Sequence, residues 1–345
     1  MKYTEVINTL LKPKEKNDFK VLDLFAGCGG LALGFESGGF DTIGYEKESD
    51  CCVTYQNNLD GKSIKTNLTP DFDFPHADII IGGPPCQPFS VGGNQKGLKD
   101  SRDGFPTFIA AVKKIKPEIW LFENVRGLLY KNKWYLEKII SELESLGYTV
   151  EYKLLNAVNY GVPQNRERIV VVGHKGQFFF PKETSIKTTV KEALSDISEN
   201  TGIDEVTYLT PSMDNYIAKY EKASKCINPR DLHLERPART LTCRNLAGMT
   251  GDMHRIKLPD GRRRTLTFRE AARLQSFPDH FYFYGSKTSI FNQIGNAVPP
   301  LLSFKIANSV LDYMKQGRFL ETPQNKQRFP NQLNFFEEQI MVQNA

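Results

Sequence analysis

A cysteine framed by prolines is the residue of this chain whose surroundings best suit covalent chemistry. The turn Gly83-Pro84-Pro85-Cys86-Gln87 follows Ala77–Ile81, an apolar run typical of a buried strand. Ligands of open α/β sheets bind at the carboxyl ends of the strands, where this turn would lie. Most cysteines are inert packing residues, but one flanked by Pro and Gln fills a core poorly. We interpret Cys86 as a nucleophile, which needs activation because the ordinary thiol pKa is about 8.5.

Charged residues that could assist a nucleophile stand beside two other strand-like runs. The run Glu118–Phe122 is followed directly by Glu123-Asn124-Val125, so its acid would face the same crevice as Cys86. Arg166 and Arg168 alternate along an extended segment and share one side of it. Taken singly, each of these residues could equally be an ordinary surface charge.

A glycine turn near the amino terminus suits a nucleotide-like cofactor. The run Lys20–Phe25 enters Ala26-Gly27-Cys28-Gly29-Gly30, and Glu46 ends the next strand-like run. Glycines let the backbone approach a ligand closely, and an acid at the end of the second strand accepts hydrogen bonds from ribose hydroxyls. Phe25 could stack on an adenine. The turn alone does not separate NAD from S-adenosylmethionine, and a purely structural turn stays open.

A polar, glycine-rich stretch follows the cysteine turn. Residues 90–102 are typical of a lid that closes over a site and excludes water. Its polar and basic side chains could meet phosphates, although a plain connector would have a similar composition.

The elements that would position these residues alternate between strand and helix. Strand-like runs at 20–25, 40–45, 77–81 and 118–122 are separated by helical or turn segments, which predicts a mostly parallel sheet with helices on both faces. The pattern weakens after Gly173. We therefore predict one domain from residues 1–181 and 287–318, a smaller irregular domain from 182–286, and a polar tail at 319–345.

Composition excludes several classes of protein. The chain has 345 residues, 40% of them hydrophobic, and a net charge of +5, as expected of a globular protein. No apolar run approaches the roughly 20 residues of a membrane helix, and residues 1–20 do not have the pattern of a secretory signal. Six cysteines without zinc-site spacing predict reduced thiols and no metal. We therefore expect a cytoplasmic protein.

Positive charge is concentrated late in the chain. The segment 226–275 holds eleven Lys and Arg against five Asp and Glu, and the rest is slightly acidic. Arginine suits phosphates and guanine edges, although a solvated basic face is equally compatible. The candidates for such contacts are Arg230, Arg244, Arg255, Arg262, Arg263 and Arg264.

Six motifs in a fixed order resemble the DNA (cytosine-5)-methyltransferases. The resemblance spans about residues 20–313, and the compact layout of the chain is similar to that of bacterial restriction–modification or orphan enzymes. The motifs are Asp-Leu-Phe-Ala-Gly-Cys-Gly-Gly (23–30), Gly-Pro-Pro-Cys-Gln (83–87), Glu-Asn-Val (123–125), Gln-Asn-Arg-Glu-Arg (164–168), Arg-Pro-Ala-Arg-Thr (236–240) and Gly-Asn-Ala-Val-Pro (295–299).

The resemblance implies a catalytic role for four residues. Cys86 would add to C6 of cytosine, so that C5 takes the methyl group of S-adenosyl-L-methionine. Glu123 would hold or protonate N3, and Arg168, supported by Arg166, would stabilise O2. The cytosine would have to leave the duplex to expose C6. The implied fold is the Rossmann-like fold of S-adenosylmethionine-dependent methyltransferases, with residues 182–286 as a target-recognition domain.

The resemblance also implies binding residues. Where the family often has an acid contacting the adenine, this chain has Asn67, whose side-chain oxygen still accepts a hydrogen bond. The implied cofactor pocket comprises Phe25, Ala26, Gly27, Gly29, Gly30, Glu46, Asn67, Leu68, Pro85, Asn296 and Ala297. DNA contacts are implied for Gln87 in the cysteine turn, for Ser90, Lys96 and Arg102 in the lid, and for the six arginines named above.

The expected partner is double-stranded DNA, with a cognate restriction endonuclease as a possible functional partner, and the expected state is a monomer.

Three alternatives remain open at this point. A tRNA cytosine methyltransferase would share the chemistry, but the separate Arg-rich segment favours DNA. A non-catalytic relative would not need Cys86, Glu123 and Arg168. An NAD oxidoreductase would explain only the glycine turn.

Overall fold

A seven-stranded sheet organises the protein. The computed structural model describes residues 1–85, 103–196, 206–225, 230–247 and 251–320. The strands of the sheet are β1 (Lys20–Leu24), β2 (Asp41–Glu46), β3 (Lys62–Lys65), β4 (Ile79–Gly82), β5 (Ile119–Val125), β6 (Thr149–Asn156) and β8 (Glu167–His174). Their spatial order is β3-β2-β1-β4-β5-β8-β6.

Strand direction is mostly parallel. Strands β1 to β5 are parallel to one another, whereas β8 runs antiparallel to both β5 and β6. The carboxyl ends of β1 to β5 and the amino end of β8 therefore meet at the same edge. This edge carries most of the predicted catalytic and cofactor-binding residues that the structure describes.

Helices cover both faces of the sheet, as predicted. Alternate residues of a strand point to opposite faces, and those of β1 enter two separate hydrophobic clusters: Val21 in one, Leu22 and Leu24 in the other. The first cluster is completed by α2 (Gly30–Ser37) and α11 (Pro300–Leu320), and the second by α4 (Phe105–Ile115) and α5 (Lys133–Glu144). At the margins lie α1 (Tyr3–Leu10) and α3 (Ser49–Asn58).

The later part of the chain is less regular, as expected, but it shares the main core. Its elements are β7 (Gln164–Asn165), α6 (Val190–Leu194), α7 (Pro211–Ala223), β9 (Ala238–Arg239), α8 (Cys243–Ala247), β10 (Arg255–Lys257), β11 (Arg263–Thr265), α9 (Phe268–Leu274) and α10 (Lys287–Asn296). Leu241, Ile256 and Phe277 belong to the same cluster as α2 and α11. No break in that core marks residue 286 in the described part of the chain, so the boundary of a 182–286 domain stays a prediction.

Within the described ranges, no helix combines the length and apolar character required to cross a membrane.

Candidate active site

The glycine turn at the end of β1 has a backbone that only particular residues allow. Phe25, Gly27 and Gly29 have positive φ angles of 61°, 55° and 88°. A Cβ on Gly29 would lie 2.8 Å from Tyr55 Cδ2, and one on Gly30 would lie 2.6 Å from the Val298 carbonyl oxygen. These two glycines therefore allow α2 to pack closely against its neighbours.

Gly27 differs because nothing described lies within 4 Å of the position that its Cβ would take. Its N–H donates to Oε2 of Glu46 at 2.9 Å, and Oε1 of Glu46 accepts from the backbone N–H groups of Lys47 and Glu48. The carboxylate at the end of β2 is thus fastened to an open turn, as a nucleotide-like ligand would require. Ala26 is buried directly beneath.

A buried acid beneath this turn did not figure among the predicted site residues. Asp23 on β1 is 1% exposed. Burial raises its pKa well above the ordinary range, and the negative charge of Glu46 adds to this effect. The motif Asp-Leu-Phe contains this residue, but nothing in the sequence distinguishes a buried strand acid from an exposed one.

Two further predicted cofactor contacts follow β3. The N–H of Thr66 donates to the Glu46 carbonyl oxygen at 2.8 Å, which keeps the chain after β3 beside the end of β2. Asn67 is exposed, and Leu68 packs partly buried against the second hydrophobic cluster. Both therefore lie near the acid of the glycine-turn site.

A carboxylate and a guanidinium meet where β5 adjoins β8. Arg168 pairs in register with Val125, two residues beyond Glu123, and its Nε lies 2.7 Å from Glu123 Oε1. Their side chains are only 12% and 11% exposed. Burial lowers the pKa of Arg168, while Glu123 opposes that shift, and an arginine remains charged at neutral pH.

The same edge holds the turn that leads to Cys86. A Cβ on Gly83 would lie 3.8 Å from Oε2 of Glu123. Asn124 Nδ2 donates to the Pro84 carbonyl oxygen at 2.9 Å. The Glu-Asn-Val and Pro-Pro motifs are therefore joined directly, as their positions at neighbouring strand ends predict.

Cys86 itself, with Gln87, Ser90, Lys96, Arg102 and the predicted lid, lies outside the described residues. The described ends that flank this segment are close together. The N–H of Gly104 donates to the Pro85 carbonyl oxygen at 3.0 Å, and a Cβ on Gly104 would lie 3.0 Å from Phe25 Cζ. Asp103 accepts a hydrogen bond from the Tyr135 hydroxyl. Pro85 and Gly104 therefore both lie beside Phe25, at the edge that holds Glu123.

Arg166, which the resemblance implies as a support for Arg168, bonds the backbone of later parts of the chain. It is buried, with Nη1 donating to the Leu241 carbonyl oxygen at 2.6 Å and Nη2 to those of Gly295 and Ala297 at 3.0 Å each. Its guanidinium therefore fastens the loop at Asn296 to the strand-end region. Burial lowers the pKa of Arg166, and the charges of Arg168 and Glu123 both act on that pKa as well. We assign it a positioning role.

Two glutamines that were not among the predicted site residues complete this junction. Gln164 Oε1 accepts from the Leu241 N–H at 2.8 Å, and its Nε2 donates to Gln275 Oε1 at 2.8 Å. Gln275 Nε2 in turn donates to the Ile294 carbonyl oxygen at 2.6 Å. Only the spacing Gln-x-Arg-x-Arg signalled that Gln164 belongs with the arginines.

Asn296 is exposed at the end of α10, and its Oδ1 accepts from the Cys243 thiol at 2.9 Å. The four described cysteines are free: Cys28, Cys51, Cys52 and Cys243. Burial raises the pKa of each, to about 12 for Cys28. These thiols are therefore poor nucleophiles at neutral pH.

The Arg-rich segment is less available to DNA than its composition indicates. Arg264 and Glu270 are both fully buried and form an ion pair of 2.7 Å. Arg255, also fully buried, bonds Asp231 at 2.7 Å and Glu221 at 3.1 Å. Arg255 and Arg264 therefore leave the set of candidate DNA contacts, because their guanidinium groups are held in the interior.

The other four candidates differ in exposure. Arg230 and Arg263 are half-buried. Arg230 forms an ion pair with Asp252, and Arg263 forms ion pairs with Asp231 and Asp214. Arg262 is exposed beside Asp260, and Arg244 is exposed in α8 without an ion pair to any other described residue. Arg244 lies next to Cys243 and hence close to Asn296.

Comparisons with known proteins agree with this arrangement. Residues 19–312 match the family model of C-5 cytosine-specific DNA methylases. Type II methyltransferase M.AplI of Arthrospira platensis is 56% identical over 90% of this chain and 91% of its own length. Type II methyltransferase M.NgoFVII of Neisseria gonorrhoeae is 34% identical over 86% and 87%, respectively.

Solved structures share the fold. A DNA modification methyltransferase encoded within an E. coli prophage superimposes with a TM-score of 0.64 at 24% identity, covering 86% of this chain and all of that one. Methyltransferase EhMeth of Entamoeba histolytica gives 0.67 at 16% identity, over 87% and 99%. The predicted methyltransferase fold is thereby confirmed. With a family model matched along most of its length and a relative sharing over half of its residues, the chain belongs to the C-5 cytosine-specific DNA methylases.

Proposed function

We propose that this protein transfers a methyl group to C5 of a flipped-out cytosine within a short duplex DNA sequence, through a covalent bond between Cys86 and C6. The observation that carries the proposal is the Glu123–Arg168 pair, buried at the strand edge beside the Pro84-Pro85 turn. The family membership supplies the reaction class, and the geometry supplies the groups that would perform it.

The pair is complementary to the edge of a cytosine. A protonated N3 donates and O2 accepts, which matches a carboxylate beside a guanidinium. Oε1 of Glu123 and Nε of Arg168 are 2.7 Å apart, so the two groups are placed side by side. When a base enters, Glu123 would hold N3–H and Arg168 would donate to O2. Both contacts withdraw electrons from the ring and make C6 more electrophilic.

Cys86 would act as the nucleophile. Its thiolate forms a bond to C6, and the electron pair of the C5–C6 double bond moves to C5 and into the ring. After C5 is methylated, a base removes the C5 proton and the Cys86–C6 bond breaks, which restores the double bond and the thiolate. The faces of a stacked cytosine are covered by its neighbours, so the base must first leave the helix.

The residues at the glycine turn fit S-adenosyl-L-methionine. Open space beside Gly27, the Glu46 carboxylate bound by the Gly27 N–H and the partly buried Phe25 ring lie together at the ends of β1 and β2, with Pro85 near Phe25. Glu46 would accept from ribose hydroxyls, Phe25 would lie against the adenine, and Asn67 would accept from its amino group. When bound, this cofactor supplies an electrophilic methyl group.

The biological setting that we propose is protection of host DNA in a restriction–modification system. The relatives described above are named Type II methyltransferases. Arg244 and Arg262 are the candidate cations of the Arg-rich segment that are exposed, so we propose them as contacts to phosphates or guanines.

Bisulfite sequencing of DNA from cells that express the chain tests the proposal. We expect full protection of one cytosine in one short motif, and none in cells that express Cys86→Ala. Labelled methyl transfer by the purified protein to tRNA but not to duplex DNA would overturn the assignment of the substrate. Methylation at N4 in place of C5 would overturn the mechanism.

A further inference from the structure

A solvent-exposed strip of basic and aromatic residues follows β5 directly. We define the basic–aromatic strip as residues 125–134, with the sequence Val-Arg-Gly-Leu-Leu-Tyr-Lys-Asn-Lys-Trp. Tyr130 is 66% exposed and Trp134 is 50% exposed. Arg126, Lys131 and Lys133 are exposed as well. The strip ends in the first turn of α5.

The strip borders the candidate active site at both of its ends. Its first residue stands two positions after Glu123, and Arg126 Nη1 lies 2.6 Å from Oε2 of Glu167, the neighbour of Arg168. Its last residue precedes Tyr135, whose hydroxyl donates to Asp103. Asp103 is the first described residue after the segment that carries Cys86. A duplex that delivers a base to Glu123 and Arg168 would therefore pass close to the strip.

The charge of the strip fits a polyanion. It has three cations and no acidic residue. The two ion pairs that it forms with described residues, Arg126 with Glu167 and Lys133 with Glu137 at 3.5 Å, are exposed and therefore weak. Phosphates could replace these acids at little cost in free energy.

The aromatic residues of the strip also fit nucleic acid. Exposed rings interleaved with cations are typical of nucleic-acid-binding surfaces, in which the cations follow the phosphates and the rings contact sugars or bases that are not covered by neighbouring bases. The Trp134 ring packs at a tilt against Tyr135, with 5.5 Å between ring centroids, while half of its surface remains in solvent. This contact gives the ring a defined position before any ligand binds.

We propose that the basic–aromatic strip is a second DNA-binding surface, separate from the Arg-rich segment, that holds the DNA next to the target cytosine. Lys131 and Lys133 contact phosphates, and Tyr130 and Trp134 lie against sugars or bases. The strip thus holds the DNA from the side of α5. The proposal rests on the proposed function only in that DNA is the macromolecule bound.

A salt titration of DNA binding tests the charged half of the proposal. Each phosphate contact contributes about −0.9 to the slope of log affinity against log salt. We expect Lys131→Ala with Lys133→Ala to reduce that slope by about 2 and to weaken binding about tenfold at ~0.1 M salt. The matched control is Lys113→Ala with Lys153→Ala, which removes two exposed lysines from the end of α4 and the middle of β6. Equal slopes and affinities for the two double variants would overturn the proposal.

Tryptophan fluorescence tests the aromatic half. The chain has two tryptophans, and Trp120 is fully buried, so a change of emission on DNA binding reports on Trp134. We expect duplex DNA to quench the emission and Trp134→Phe to abolish the quenching. Emission that stays constant while DNA saturates the protein would overturn the placement of DNA against the strip.

The two readouts are independent of catalysis. A protein that binds DNA through the strip but transfers no methyl group would refute the proposed function and leave the strip standing. A protein that methylates cytosine and binds DNA identically with or without Lys131 and Lys133 would refute the strip alone.

Discussion

Glu123 and Arg168 form an ion pair with each other in the structure. The 2.7 Å contact compensates two largely buried charges, each of which would otherwise be costly to desolvate. In the proposed mechanism, a cytosine edge would offer each group a replacement partner, so that neither buried charge would be left unpaired. The Glu123–Arg168 contact is therefore the one that the substrate edge would replace.

Arg168→Lys tests whether the planar guanidinium is needed. Lysine keeps the charge but cannot contact Glu123 and O2 with a rigid fork of donors. We expect kcat to fall about 100-fold, as for the loss of one electrostatic donor to a transition state. The measurement is single-turnover methylation at saturating DNA and cofactor. A variant with the thermal stability and kcat of the wild type would show that O2 is stabilised elsewhere.

At the scale of elements, the carboxyl edge was predictable because its motifs follow apolar runs. Val21 to Leu24 and Ile79 to Ile81 are apolar enough to be recognised as buried strands, and the order of the motifs then places Glu123 beside the Pro84-Pro85 turn. β3 was missed because three of its four residues, Lys62, Ser63 and Lys65, are polar. The antiparallel direction of β8 leaves no trace in its composition.

The buried arginines were misjudged for a physical reason. Arg255 finds its acids at Asp231 and Glu221, 24 and 34 residues away, and no local pattern indicates these pairings. Counting charges along a segment treats all of them as exposed. Much of the apparent DNA-binding charge of segment 226–275 therefore stabilises the fold.

Substitutions at two glycines of the turn, Gly27 and Gly30, test a role in ligand binding and a role in packing separately. Gly27→Ala adds a methyl group to open space and costs roughly 1–2 kcal/mol because φ is positive there. Since the methyl would occupy the ligand side, we expect the Kd for S-adenosyl-L-homocysteine to rise by more than tenfold in calorimetry. Gly30→Ala instead meets the Val298 carbonyl oxygen and should lower the free energy of unfolding by about 1–3 kcal/mol. Unchanged affinity in Gly27→Ala would place the cofactor elsewhere.

At the scale of the whole molecule, a network of ion pairs ties distant segments together. Asp231 bonds both Arg255 and Arg263, which in turn reach Glu221 and Asp214 on α7. These ion pairs join α7, β10 and β11. Such a network makes stability dependent on pH.

The variant Asp231→Asn tests the direction in which stability changes with pH. Burial acts to raise the pKa of Asp231, but hydrogen bonds from Arg263 and Arg255 outweigh it and keep the pKa below the ordinary value. Its contribution to stability is therefore present at neutral pH and is lost as the pH falls below about 4. We expect the variant to unfold with about 2 kcal/mol less free energy at pH 7, and with a smaller difference at pH 3.

Urea denaturation at both pH values measures this effect. Asp260→Asn is the matched control, because Asp260 is exposed and pairs only with exposed Arg262 among the described residues, so its loss should leave stability unchanged. A destabilisation by Asp231→Asn that is equal at pH 3 and pH 7 would contradict the electrostatic explanation.

Trapping of the enzyme on duplex DNA that carries 5-fluorocytosine examines the proposed chemistry at the bond itself. Fluorine at C5 cannot leave as a proton, so the Cys86–C6 bond cannot break after methyl transfer. With the methylated motif as substrate and S-adenosyl-L-methionine present, we predict a denaturation-resistant adduct that peptide mass spectrometry assigns to Cys86. An adduct on another residue, or none on DNA whose unfluorinated counterpart is methylated, would contradict the covalent mechanism.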